Sequence, residues 1–138
     1  MTNTKTRASA PLDVLPTRRL ATAAEAKEYR ILGWSEKELQ EHIIGLAKTL
    51  GWLCYHTYDS RRSTAGYPDL HLVHPRAGRH MMRELKAEKG RLSPAQRTWI
   101  EALERAAVDV AVWRPRDVVD RTVERQLRDG ARVGGARA

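Results

Sequence analysis

The chain has 138 residues, with 25 Lys and Arg against 17 Asp and Glu, so its formal charge is +8. This length suits one domain with terminal arms, and the single cysteine excludes an intrachain disulfide framework or a four-cysteine zinc site. No apolar run approaches the roughly 18 residues of a membrane span, and the polar N-terminus lacks a signal core, which predicts a cytoplasmic protein. The positive charge favours a nucleic-acid partner, against an arginine-rich surface that only maintains solubility.

The first third of the chain predicts a tail followed by a helix. Residues 1–34 are predicted as an N-terminal tail with one short helix over 22–32. The next helix, 35–50, begins with a capping box made by Ser35 and Glu38, and its apolar residues recur on one face. This helix therefore opens the folded domain.

Strands dominate the middle of the chain, and their order predicts the fold class. The predicted strands are 52–58, 69–74, 79–87 and 108–113, with a helix that starts at Ser93 between the last two. A central hairpin and a crossover to the last strand predict an α/β fold, in which helices flank a mixed four-stranded sheet in the order α-β-β-β-α-β. This domain spans residues 35–115.

A C-terminal arm, residues 116–138, follows the sheet. Asp117 is placed to cap one amphipathic helix that runs through Leu127 and ends at Gly130. The remaining residues are rich in Gly and Arg. The arm is therefore predicted as a helix with a basic tail.

The hairpin between the second and third strands sets two acids opposite each other. If residues 75–78 form its loop, the register places Asp69 across from Glu84, with Cβ atoms roughly 4.5–5.5 Å apart. Lys86 lies two residues beyond Glu84, so its side chain leaves the same face of the sheet. Two facing carboxylates need a counter-charge, and all-oxygen ligation suits Mg²⁺. The pattern therefore predicts a metal site that faces a phosphate.

Each flanking helix adds one polar residue on its sheet-facing side. Glu36 lies about 60° from Leu39 on a helical wheel, which predicts a glutamate on the buried face and hence a third acid of the site. The alternative is a first-turn glutamate favoured by the helix dipole. Gln96 lies about 60° from Trp99 and also faces the sheet. The alternative is that Gln96 completes a capping box with Ser93, and this structural role is compatible with a place in the site.

Basic residues surround this acidic centre. Residues 58–97 contain nine basic residues and four acids. Arg61 and Arg62 precede the acidic pair, and Lys89 and Arg91 follow it, so we expect them to contact a phosphate backbone. The alternative for each is a solvated basic loop.

The motif residues resemble a known nuclease family. Gly66-Tyr67-Pro68-Asp69 followed by Glu84-Leu85-Lys86 resembles the PD-(D/E)XK motif. The fuller series is similar to the virus-type replication-repair nuclease (VRR-NUC) group over about residues 35–114. That series is Glu36-x-x-Leu39-Gln40, Gly66-x-Pro68-Asp69, Glu84-x-Lys86, Gly90 and Ser93-x-x-Gln96-x-x-Trp99.

The resemblance implies a restriction-endonuclease-like core and a role for each site residue. Asp69 and Glu84 would bind Mg²⁺ or Mn²⁺, with the backbone carbonyl of Leu85 as a further ligand. Lys86 would position or help deprotonate the attacking water. Glu36 would bind a second metal or hold a metal-bound water, and Gln96 would orient the lysine or a phosphate.

The resemblance also implies an activity, a substrate and an assembly. Members that stand alone in phage genomes resemble Holliday-junction resolvases, which implies a homodimeric DNA endonuclease that hydrolyses phosphodiester bonds of branched DNA in repair or recombination. Two alternatives remain open. One is a nuclease for linear or flapped DNA ends, and the other is a non-catalytic DNA-binding module on the same fold.

Overall fold

The computed structural model describes residues 22–58 and 60–134. The predicted N-terminal tail up to residue 21 and the last four residues of the basic tail therefore lie outside the described residues. The chain divides after Arg30 into two units, and the whole sheet belongs to the second unit, Ile31–Ala138. None of the helices in the described residues is long and apolar enough to cross a membrane.

The described residues form five helices and one four-stranded sheet. The helices are α1 Ala23–Leu32, α2 Glu36–Thr49, α3 Pro94–Arg105, α4 Pro115–Val119 and α5 Thr122–Gly130, and Ser60–Arg62 forms a 3₁₀ turn. The strands are β1 Leu53–His56, β2 Leu70–His74, β3 Arg79–Leu85 and β4 Val110–Trp113. Their spatial order is β1-β2-β3-β4, antiparallel except for the parallel pair of β3 and β4. The predicted α/β class and mixed sheet are confirmed, and the architecture is consistent with a restriction-endonuclease-like core.

Local sequence signals fix the start of α2. Ser35 is the N-cap, and its Oγ accepts from the N–H of Glu38 at 3.1 Å, while a Glu38 carboxylate oxygen accepts from the N–H of Ser35 at 2.9 Å. This is the predicted capping box, which satisfies two N–H groups that lack helical partners. Leu39 and Ile43 are fully buried in the core, so the apolar stripe of α2 packs on the sheet.

The β2–β3 hairpin has the predicted register. His74 pairs with Arg79 across the turn, and Leu70 pairs with Arg83. Both strands are shorter than predicted, because β2 begins at Leu70 and β3 ends at Leu85. The motif residues Asp69 and Lys86 therefore lie just outside the strands, in the loops that adjoin the strand ends.

Strand alternation gives the two faces of the sheet different roles. One face contributes Leu72, Met81 and Trp113 to the main core, where α2 and α5 also bury residues. Successive side chains point to opposite faces, so Arg83 lies on this side and Glu84 on the other. α3 reaches that second face, where Gln96 binds Glu84. The core thus supports the sheet from one side and leaves the motif acids on the other.

The C-terminal arm differs from its prediction. Two helices, α4 and α5, replace the single helix expected after Asp117, because Arg121 between them has a left-handed backbone with φ of 68°. Asp117 accepts from the N–H of Arg114 at 2.8 Å and so caps only α4. Asp120 accepts from the N–H of Thr122 at 2.9 Å and starts α5. A second side-chain cap therefore ends the first helix early.

Candidate active site

The two motif acids meet at the edge of the sheet, as the register predicts. Asp69 precedes β2, and its Oδ2 accepts from the backbone N–H of Leu85 at 2.8 Å. This bond anchors the carboxylate to the end of β3, beside Glu84. Glu84 is 1% exposed, while Asp69 is half-buried. The hairpin therefore holds one deeply buried carboxylate next to one that reaches the solvent.

The carboxylate of Glu84 is only partly compensated. Its Oε2 accepts from Nε2 of Gln96 at 2.7 Å and lies 3.9 Å from Nζ of Lys86. Its Oε1 is buried without a hydrogen-bond partner among the described residues. A buried acceptor that lacks a partner costs free energy, and a buried charge costs more. This oxygen therefore lacks the compensation that a further positive group would supply.

The surroundings of Glu84 favour its protonated form. Burial raises the pKa of Glu84 to about 8, and the like charge of Asp69 acts in the same direction. Lys86 lowers this pKa, but its effect is smaller. The low-dielectric surroundings disfavour the anion, and two neighbouring carboxylates disfavour it further. Without an added cation, burial and the neighbouring acid therefore favour a proton on this carboxyl group, which hydrogen-bonds to Asp69.

The lysine of the motif is aimed at the acidic pair. The side chain of Lys86 is 13% exposed, so its stem is mostly covered while its ammonium approaches Oε2 of Glu84. A separation of 3.9 Å is too long for a hydrogen bond, so the contact is electrostatic. The ammonium therefore keeps donors for another ligand.

Gln96 makes the predicted capping box and also binds one of the motif acids. Its Oε1 accepts from the N–H of Ser93 at 2.9 Å, and Oγ of Ser93 accepts from its N–H at 3.1 Å, which completes the capping box of α3. Its Nε2 donates to Glu84 at the same time. The helix cap therefore fixes the amide, and the amide holds one oxygen of the acid.

Glu36 is close to the site but exposed. The expected burial was wrong, because Glu36 is the first residue of α2 and lies before the part of the helix that packs into the core. Its side chain lines the same cavity as Asp69 and Glu84, and its charge also raises the pKa of Glu84. Within the described residues, no three His, Cys, Asp or Glu side chains group closely enough to hold a metal. Glu36 is thus a neighbour of the acidic pair at longer range.

An open cavity of about 630 Å³ lies over the acids. Its walls include three aromatic residues, Tyr55, Tyr67 and Trp99. Tyr67 and Trp99 pack edge to face, with ring centroids 5.0 Å apart and planes at 86°. Trp99 is half-buried in the cavity wall. No sequence pattern placed the two tyrosines here, because their loop and strand positions have no period.

Gly66 lets the motif loop approach α3. Its backbone has φ of +93°, which favours glycine, and a β-carbon here would lie 2.4 Å from the carbonyl oxygen of Ala95. No side chain fits that space. This contact sets the loop that carries Asp69 against the helix turn that carries Gln96.

The predicted DNA-contacting residues lie on loops at the surface. Arg61 and Arg62 are exposed in the 3₁₀ turn between β1 and β2. Lys89 and Arg91 are exposed in the loop between β3 and α3. These two loops adjoin the motif segments at Asp69 and Lys86 in the chain, so they place exposed basic side chains near the acidic pair.

The fold and the site together define a class. Two carboxylates, a lysine and a glutamine converge at one edge of a mixed sheet on a core of the restriction-endonuclease-like type. A family model described as the VRR-NUC domain matches residues 15–117. The match covers most of the chain, and the chain belongs to the VRR-NUC domain family.

A curated relative agrees with this assignment over a shorter segment. The chain is 43% identical over 56 residues to the Fanconi-associated nuclease 1 homolog of Schizosaccharomyces pombe (strain 972 / ATCC 24843). That segment is 41% of this chain and 8% of the relative, so the chain spans only a small part of that protein. No solved structure gives a significant match.

Proposed function

We propose that this chain is a Mg²⁺- or Mn²⁺-dependent DNA endonuclease that hydrolyses phosphodiester bonds, with branched DNA as its substrate. The observation that carries the proposal is the state of Glu84. Its carboxylate is buried, adjoins Asp69 and borders an open cavity, and within the described part of the chain one of its oxygens has no partner. A structural carboxylate is satisfied by its neighbours, whereas this one is left ready for a cation.

The donor set fits a hard divalent cation. Asp69 and Glu84 would hold the ion, with the carbonyl of Leu85 as a further oxygen ligand, and Glu36 would reach it through water or hold a second ion. Such an ion, when bound, neutralises the acids and polarises a phosphoryl oxygen. The unpartnered Oε1 of Glu84 supports this fit, because a cation there would satisfy the buried oxygen.

The other site residues act on the water and on the acids. Lys86, as an ammonium, would position the attacking water and stabilise the charge that develops on the phosphoryl oxygens. Gln96 does not reach for the water, because both ends of its amide are already bound to Ser93 and Glu84. Gln96 instead holds Glu84 in place.

The basic loops would attract the phosphate backbone of DNA electrostatically. Arg61, Arg62, Lys89 and Arg91 would contact phosphates on either side of the cleavage point. Each phosphate contact releases counterions, so binding should weaken as the salt concentration rises. A pure DNA-binding module is the weaker alternative, since acids that face the phosphate oppose binding unless a cation is present.

The choice of branched DNA and of a homodimer rests on the family resemblance. The name of the Schizosaccharomyces pombe relative describes a nuclease and specifies no substrate. Linear or flapped ends are therefore the alternative substrates. A resolvase would cut the two strands of a four-way junction symmetrically, which requires two active sites and hence two copies of the chain.

Cleavage assays test both the activity and the substrate. The protein should cut DNA with Mg²⁺ or Mn²⁺, and EDTA should stop the reaction. Glu84→Ala and Lys86→Ala should lose cleavage but keep DNA binding, whereas Glu104→Ala, an exposed change on α3, should keep both. If both motif variants cut at the wild-type rate, the site assignment is wrong. Paired symmetric cuts restricted to a four-way junction, against flap and linear duplex, would support a dimeric resolvase.

A further inference from the structure

Arg114 lies directly after β4, beside the end of the strand that carries Glu84. β4 runs parallel to β3 with Trp113 paired to Leu85, and the N–H of Lys86 donates to the carbonyl of Trp113 at 3.1 Å. One further step of this register sets Arg114 next to Lys86. The sequence pattern gave this arginine no role.

The guanidinium of Arg114 binds the backbone that follows Lys86. Its Nη1 lies within hydrogen-bond distance of three carbonyl oxygens, those of Ala87 at 3.0 Å, Glu88 at 3.3 Å and Gly90 at 2.7 Å. The N–H of Gly90 also donates to the carbonyl of Ala87 at 3.0 Å, which closes the turn. The arginine is therefore the centre around which residues 87–90 fold.

The two nearby carboxylates bind other groups and not this guanidinium. Glu88 pairs with Arg116, whose Nη2 lies 2.6 Å from Oε2 of the glutamate. Asp117 accepts from the backbone N–H of Arg114 and not from its side chain. An arginine that only balanced charge would be expected to bind one of these acids. Its hydrogen bonds go instead to the turn that leads away from the active site.

This turn lies beside the stem of Lys86. Gly90 has no β-carbon, and one built on it would lie 3.4 Å from Cδ of Lys86, so the backbone of the turn adjoins the lysine methylenes. The lysine side chain is 13% exposed, and its Nζ ends 3.9 Å from Oε2 of Glu84. A lysine stem has four rotatable carbons and loses much rotamer freedom when held. The turn bounds the space that is open to those rotamers on this side.

We propose that Arg114 is a positioning residue for Lys86. It ties the turn 87–90 against the lysine stem and thereby keeps the ammonium over the acidic pair, without touching DNA or metal. This inference rests on the proposed function, in which Lys86 acts on the water. It predicts that loss of Arg114 loosens the lysine and slows the chemical step, while the affinity for DNA is preserved.

The direct test measures the accessibility of Lys86 without any reaction on DNA. Reductive methylation of the full chain, read by mass spectrometry, should label Lys86 much more slowly than Lys48, which is exposed on α2. Arg114→Met should raise the labelling of Lys86 severalfold and leave Lys48 unchanged. Arg128→Met removes a matched charge from α5 and should change neither lysine. Unchanged labelling of Lys86 in folded Arg114→Met would overturn the proposal.

A kinetic test separates positioning from a general structural role. Arg114→Met should lower kcat by about 10- to 100-fold, as small misplacements in active sites do, with KM for DNA within about twofold. Arg114→Gln keeps a donor for the turn and should recover part of kcat. A parallel loss of kcat and DNA affinity would contradict the proposal, as would loss of cooperative unfolding in both variants. If wild-type protein fails to cut DNA, the proposed function fails, and the labelling result still decides the role of Arg114.

Discussion

Arg83 and Glu84 are consecutive residues of β3, and their side chains are 2% and 1% exposed, on opposite faces of the sheet. Arg83 is surrounded by partners. It pairs with Asp109 at 3.0 Å, donates to Gln126 at 3.0 Å, and lies 4.8 Å from the ring centroid of Trp113. It also donates to two backbone carbonyls, and among the residues that the structure describes its Nε has no partner. This charge ties β3 to β4 and α5.

Glu84 is buried as deeply but is left incomplete. It has one amide donor, a lysine at 3.9 Å and a like-charged neighbour, and one of its oxygens has no partner in residues 22–58 and 60–134. The comparison shows that burial of a charge alone does not identify a site. Arg83 is satisfied by its neighbours and stabilises the fold. Glu84 is left partly unsatisfied at an open cavity, so it is the candidate for chemistry.

The largest expected effect comes from neutralising Glu84. Glu84→Gln should reduce cleavage by about a thousandfold or more, because a metal-bound charge contributes several kcal/mol to the transition state. The same change should raise the thermal midpoint of the metal-free protein at pH 8, since a buried anion is removed. Cleavage rates and thermal unfolding in EDTA measure the two effects. A variant that is both inactive and less stable at pH 8 would indicate a structural acid.

Removal of Arg83 should have the opposite pattern. Arg83→Met should lower the free energy of unfolding by about 2–4 kcal/mol, because the variant leaves buried hydrogen-bond partners unpaired. Cleavage per folded molecule should stay within about threefold of wild type, because the Arg83 side chain lies on the face of the sheet opposite the acids. Urea unfolding measures the loss of stability, and single-turnover cleavage at low temperature measures the activity of the folded molecules. A cleavage loss comparable to that of Glu84→Gln would remove the distinction between the two faces.

The third prediction concerns pH. The pKa of Glu84 is raised from 4.5 to about 8 in the folded state, so over this window the folded protein binds more protons than the unfolded chain. The stability of the metal-free protein should therefore fall as pH rises from about 4.5 to about 8 and level off above. Because other groups titrate in the same range, the informative quantity is the difference between wild type and Glu84→Gln across pH. An equal slope in both proteins would contradict the raised pKa.

The smallest effects should separate the two roles of Gln96. Gln96→Leu removes the donor to Glu84 and should lower cleavage by about tenfold, equal to about 1.4 kcal/mol. Ser93→Ala weakens the cap of α3 and should cost about 1 kcal/mol of stability with cleavage largely kept. Rates and unfolding curves of the pair would show which role matters. Equal cleavage losses in both would mean that Gln96 acts only through the helix cap.

The sequence predicted the pairing of the acids because that pairing depends on local rules. A four-residue loop and a period of two place Asp69 opposite Glu84, and a helical wheel turns Gln96 toward them. The same wheel gave the direction of Glu36 but not the fact that the first turn of α2 remains exposed. The direction of a side chain follows from the helical period, whereas its burial depends on where the neighbouring elements end.

Other features depend on residues far apart in the chain. Arg83 follows two methionines and precedes a glutamate, which does not mark it as buried, and its partners Asp109 and Gln126 lie 26 and 43 residues away. The role of Arg114 likewise depends on the parallel pairing of β3 and β4. The break at Arg121 depends on a competition between two side-chain caps. None of these can be read from spacing along one element.

The most direct test of the account measures cation binding at Glu84. Thermal unfolding at pH 8 should be followed with and without millimolar Mn²⁺, for wild type and for Glu84→Gln, with Glu104→Gln, an exposed change on α3, as the control for the loss of one negative charge. Binding to the folded state raises the midpoint, by about 4–8 °C for each kcal/mol in a domain of roughly this size. We predict a clear rise in wild type and in the control, and none in Glu84→Gln. An equal rise in all three proteins, or no rise in wild type, would contradict the claim that this buried carboxylate is kept for a metal ion.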